Sequence, residues 1–250
     1  MKRLLAFCIA IAVLGPTVAL AQGLNLSWND CGAYGPLNRN FACNTNDGVD
    51  VLVASFVPPS GITKLTAIDA TIALQTADAV LLSPWWRLDG PGACRSGSYT
   101  ADADFTSQSN CLDYWAGRAT SDLAWTQNGN RACLRVRCQI PEDEGGPVTP
   151  GEEYYAFKVI IDHAHAMGTG ACAGCNTAAC FVIEELWLVQ PAGLGDIRIR
   201  NPNVRSFATW QGGAVAGGCP MIADFDPNYS YCAPTPTLKG TWGEIKTLYR

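Results

Sequence analysis

The stretch "TAIDATIALQT", Thr66 to Thr76, alternates strictly: Ile68, Ala70, Ile72 and Leu74 share one phase, and Asp69, Thr71, Ala73 and Gln75 share the other. Side chains two apart on an extended chain lie on one face, so this period predicts a strand with one apolar and one wet side. "CLRVRCQI", Cys133 to Ile140, repeats the pattern, with Leu134, Val136, Cys138 and Ile140 set against Cys133, Arg135, Arg137 and Gln139. Outward from these two, similar runs predict strands over 24–28, 49–57, 154–161, 181–189 and 197–200. Turn-forming clusters such as "VPPSG", "DGPG", "NGN" and "GGPVTPG" punctuate them. Many short strands without interleaved helical periodicity predict an all-β chain, an antiparallel β-sandwich of the jelly-roll or immunoglobulin-like kind.

The two ends read differently. Lys2 and Arg3, an apolar run from Leu4 to Leu14, a Gly15-Pro16 break and Ala19-Leu20-Ala21 together read as a secretory signal peptide over 1–21. A single sandwich domain is expected over 22–232. Residues 233–250 then supply a linker and a short C-terminal helix, in which Thr241 and Glu244 have capping-box spacing. No other run approaches the ~20 apolar residues of a membrane-spanning helix, so the mature chain is expected not to insert. Without Lys2 and Arg3 the chain carries 15 basic and 22 acidic residues, a net charge of about −7. Its densest basic cluster is Arg131, Arg135 and Arg137, too sparse to neutralise a phosphate backbone, so nucleic acid is not an expected partner.

Cysteine is the strongest compositional signal. Twelve are encoded and Cys8 lies in the leader, which leaves Cys31, Cys43, Cys94, Cys111, Cys133, Cys138, Cys172, Cys175, Cys180, Cys219 and Cys232. An exported chain with so many meets an oxidising compartment, so most are expected in disulfides and the protein is expected to be secreted or periplasmic. Cys31 with Cys43, Cys94 with Cys111 and Cys219 with Cys232 are the expected local pairs. Cys133 and Cys138 should have different partners, because on one strand they face opposite sides about 16 Å apart at ~3.3 Å per residue. Eleven is odd, and the dense group Cys172, Cys175 and Cys180 is the expected home of the leftover thiol.

Four features bear on function. In "YYAFKVIIDHAH" the two histidines continue the phase of Tyr155, Phe157, Val159 and Ile161, so a persisting strand would project His163 and His165 from one face. With Cys172 or Cys175 returning from the next loop they would make a zinc or copper site. "ADFDPN" sets Asp224, Asp226 and Asn228 at alternate positions, a pattern suited to calcium. Adjacent Glu184 and Glu185 are the candidate acids for a secreted hydrolase, since no G-x-S-x-G or H-E-x-x-H motif is present. Finally, Trp85-Trp86 before "RLDGPG" suits stacking of sugar rings, one indole inward and one exposed. The preferred expectation is an exported, non-catalytic binding or structural module for a glycan or cell-surface polymer. A metal-binding protein is the alternative, and a hydrolase is third.

Overall fold

The computed structural model describes residues 22–78, 80–90 and 92–213. The leader, Cys219, Cys232, Asp224, Asp226, Asn228 and the expected C-terminal linker and helix lie outside the described residues. Among the described residues eleven strands form in chain order: β1 (Gly23–Trp28), β2 (Asn38–Arg39), β3 (Val49–Val57), β4 (Ala67–Thr76), β5 (Tyr99–Asp102), β6 (Thr120–Asn128), β7 (Arg131–Gln139), β8 (Tyr154–Asp162), β9 (Ala179–Val189), β10 (Ile197–Ile199) and β11 (Phe207–Trp210). They make a four-stranded sheet, β1-β3-β8-β5, and a seven-stranded sheet, β2-β11-β9-β4-β7-β6 with β10 beside β9. All pairings are antiparallel except β11 with β2. The all-β sandwich expected from the alternating runs is therefore what the chain forms.

The two sheets bury the phases read from sequence. Ile68, Ile72, Leu74, Leu134, Val136 and Cys138 from β4 and β7 meet Leu26, Leu52, Phe157 and Val159 of the smaller sheet in one core. At one end of this core Trp28, Trp86, Phe181 and Trp210 pack edge-on or tilted, with centroids 5.4 to 5.9 Å apart. Such ring pairs add roughly 0.5–1.5 kcal/mol each beyond the area they bury. Each indole nitrogen has a partner: Trp28 Nε1 donates to the Thr209 carbonyl at 2.8 Å and Trp210 Nε1 to that of Cys175 at 2.9 Å.

The disulfides are not local. Cys31 joins Cys111, Cys43 joins Cys175, and Cys94 joins Cys172, closing loops of 80, 132 and 78 residues. The expected pairs Cys31–Cys43 and Cys94–Cys111 are thus incorrect, because folding brings loops from distant strands together while sequence neighbours leave in different directions. Cys133 and Cys180 are also disulfide-bonded. Among the described residues the free cysteine is Cys138, buried between the sheets, and not a member of the Cys172–Cys180 group. Its register explains this: Cys138 sits opposite Ile68 on the core face, turned away from the loops that carry Cys172 and Cys175.

One irregularity shapes the outer face. Thr71 opposes Glu185 while Ile72 opposes Ile183, so β9 carries an extra residue at a bulge. Glu184 and Glu185 both fall between the core-directed Ile183 and Leu186. The chain departs there from simple alternation, with Glu184 buried and Glu185 half-buried.

Candidate functional site

The histidine stretch does not assemble the expected metal site. β8 ends at Asp162, whose carboxylate accepts the Ala164 amide at 2.9 Å and turns the chain, so the strand phase never reaches either histidine. His163 is buried, with Nδ1 2.8 Å from the Asp47 carbonyl and Nε2 2.9 Å from the Asp50 carboxylate. Its ring stacks on Phe41 at 3.8 Å, and Asp50 is itself paired with Arg39. His165 is exposed at a φ of 65°, its Nδ1 bonded to the Gly170 carbonyl at 3.1 Å. Cys172 and Cys175 are both consumed by disulfides. The four residues have separate structural duties, and both nitrogens of His163 are already engaged.

The tryptophan pair is likewise structural. Pro84–Trp86 is a 3-10 turn, not a strand, and Trp85 and Trp86 are both 0 % exposed. The Arg95 guanidinium lies 3.4 Å from the Trp85 ring centroid, and Trp86 packs against Phe181 and Trp210. Arg95 is fully buried and bonds the carbonyls of Trp85 and Ala164 at 3.2 Å and that of Asp162, which closes the turn over the core. The expected exposed indole at this position is therefore incorrect. Gly174 lets the adjoining loop approach: it has a φ of 98°, and a Cβ there would sit 2.3 Å from Ser83.

An open groove lies instead on the outer face of the larger sheet. Its volume is about 520 Å³, and its walls carry Asp69, Thr71, Arg135, Arg137, Glu185 and Trp187. The ladder register builds it in rows. Asp122, Arg137, Asp69, Trp187 and Arg198 stand opposite one another across β6, β7, β4, β9 and β10. The next row is Ala124, Arg135, Thr71 and Glu185. Five strands at ~4.8 Å spacing make the row about 19 Å long, running across the strands. Further along the same outward phase Ala73, Val182 and Cys180 are buried, so the groove is open at the Asp69–Trp187 end.

Several of its charges are paired within the sheet. Arg137 pairs with Asp69 at 3.0 Å, and Glu185 receives Arg198 and, at 3.7 Å, Arg200. The Arg198 guanidinium also lies 5.4 Å from the Trp187 ring. Asp196 accepts the Gln190 amide at 3.0 Å. Burial in the groove pushes the Asp69 carboxyl above its ordinary range, opposed by Arg137, reinforced by the Asp196 carboxylate and opposed again by the charge of Arg135. Trp187 is 36 % exposed. Apolar residues flank it in sequence, yet its phase marks it as outward, since Trp187 alternates with Leu186 and Leu188, which are both buried.

No protein-family model matches the chain, and no curated protein matches it. Among solved structures it is similar to a cohesin module from the family 33 glycoside hydrolase of Clostridium perfringens, with 5 % identity over 72 % of this chain and 96 % of that one, at a TM-score of 0.34. A second is the type II cohesin module of the cellulosomal adaptor scaffoldin ScaA of Acetivibrio cellulolyticus, with 9 % identity over 74 % of this chain and 94 % of that one, also at 0.34. Likeness at this level says nothing about what the present chain binds.

Proposed function

We propose that this chain is an exported, non-catalytic binding module whose single sandwich domain recognises a glycan through the outer face of its larger sheet. The observation that carries the reading is the exposed indole of Trp187 in an open groove whose polar walls are held by cross-strand ion pairs. A sugar ring presents an apolar face that stacks on an indole and hydroxyls that exchange hydrogen bonds with carboxylates and guanidinium groups. Walls held in place before the ligand arrives lose little side-chain freedom on binding. Export is supported by the leader-like 1–21 segment and by the disulfides, which persist in oxidising compartments.

The experiment is titration calorimetry of the mature protein against a panel of plant, algal and bacterial polysaccharide fragments, with Trp187→Ala beside the wild type. Loss of a central aromatic anchor is expected to weaken binding by about 2 kcal/mol, roughly thirtyfold. Failure of every panel member to bind, or undiminished binding by Trp187→Ala, would refute the reading.

A further inference from the structure

We infer that the groove selects an anionic glycan, with a carboxylate of the ligand docking on Arg135 while a neighbouring ring stacks on Trp187. The inference rests on the glycan reading of this groove. Arg137, Arg198 and Arg200 each meet a carboxylate. Arg135 differs. It is exposed in the groove wall, and its guanidinium has no hydrogen bond or ion pair among the described residues. Its cross-strand neighbours are Ala124 on β6 and Thr71 on β4, both too short to cover it and neither charged.

A guanidinium offers five donors in a planar fork that fits a carboxylate with two parallel bonds. No groove carboxylate bonds Arg135, and Asp69 reaches it only through its charge. Asp69 is held by Arg137 and Glu185 by Arg198, while the exposed Asp122 stands opposite Arg137. An anion above Thr71 thus meets a guanidinium with no bonded partner and lies away from Asp122, while Glu185, across from Thr71, is neutralised by Arg198 and Arg200. Strands β7 and β9 flank β4, so Arg135 and Trp187 start about 10 Å apart across the strands. A chain of uronic acids lying along the row presents a carboxylate at one position and a ring face at another. A neutral glycan leaves Arg135 unanswered.

The test uses mature protein and short uronate oligomers of the galacturonate, mannuronate and glucuronate series, each beside its methyl ester, which keeps the backbone and removes the charge. Binding of at least one acid form is expected to exceed that of its ester tenfold or more at low salt. That preference is expected to weaken as ionic strength rises and to vanish in Arg135→Gln, whose melting temperature should match the wild type because the side chain is exposed. If acid and ester bind alike in every series, or Arg135→Gln keeps the preference, the inference falls. Binding of neutral glycans alone through Trp187 would also sink it while leaving the glycan reading intact. Absence of any glycan binding would remove both.

Discussion

The buried thiol of Cys138 makes a sharp claim about alkaline stability. It lies on the core face of β7 beside the Ser121 hydroxyl at 3.3 Å, and burial pushes it up to about 12 from an ordinary value of 9.0. The Ser121 hydrogen bond opposes the shift, and the carboxylates of Asp102, Asp122 and Asp69 add to it. The native state therefore keeps this proton where the unfolded chain has lost it. The stabilisation is complete below pH 9 and falls as pH rises from there towards 12, by about 1.4 kcal/mol per unit and on the order of 4 kcal/mol in total. Tyr99 and Tyr155, also raised to about 12 by burial, act in the same direction above their ordinary value of 10. Comparison with Cys138→Ala subtracts them. Urea unfolding of both proteins at neutral pH, then in steps from about pH 8.5 to 10, should show the variant about 1–2 kcal/mol less stable at the start and the gap narrowing by about 1.4 kcal/mol at pH 10 as the thiol's contribution disappears. Alkylation followed by peptide mapping should modify Cys138 only after unfolding. Stability curves that run parallel with pH, or native-state alkylation as fast as in urea, would refute the placement of this thiol.

Other expectations follow from the same packing. Arg95→Met leaves the carbonyls of Trp85, Ala164 and Asp162 without their donor and should cost about 3–5 kcal/mol in denaturant unfolding, with Arg95→Lys recovering only part because it lacks the fork. Replacing Cys43 and Cys175 by alanine opens a 132-residue loop, for which chain entropy alone predicts a loss of about 5 kcal/mol, read as a lowered denaturation midpoint. Trp86→Ala should cost about 3–5 kcal/mol, whereas the half-open Trp187→Ala should lower stability far less, a contrast that calorimetric melting will test. Nonreducing peptide mapping should join Cys133 to neither Cys180 nor Cys138: β4 lies between Cys133 and Cys180, and two strand spacings, about 9.6 Å, exceed disulfide reach.

The alternation over Thr66–Thr76 and Cys133–Ile140 determined, by itself, that these segments are strands and which phase enters the core. A period of two leaves no other way to hide Ile68, Ile72, Leu134 and Val136 together. Five further strands were legible on the same ground, within a residue or two at their ends. Strand β6 was not, since "TSDLAWTQN" has too few apolar residues to mark a face; its place comes from pairing with β7 across the Asn128–Arg131 turn. Cysteine number was readable and partners were not, because a disulfide depends on which loops meet in space, and the loops that meet are 78 to 132 residues apart. The tryptophans show the same division. Local sequence set one of Trp85 and Trp86 inward and the other outward, but a 3-10 turn sealed by Arg95 buries both. The sheet register sets Trp187 opposite Asp69, on the wet face, and only the tertiary structure decides that.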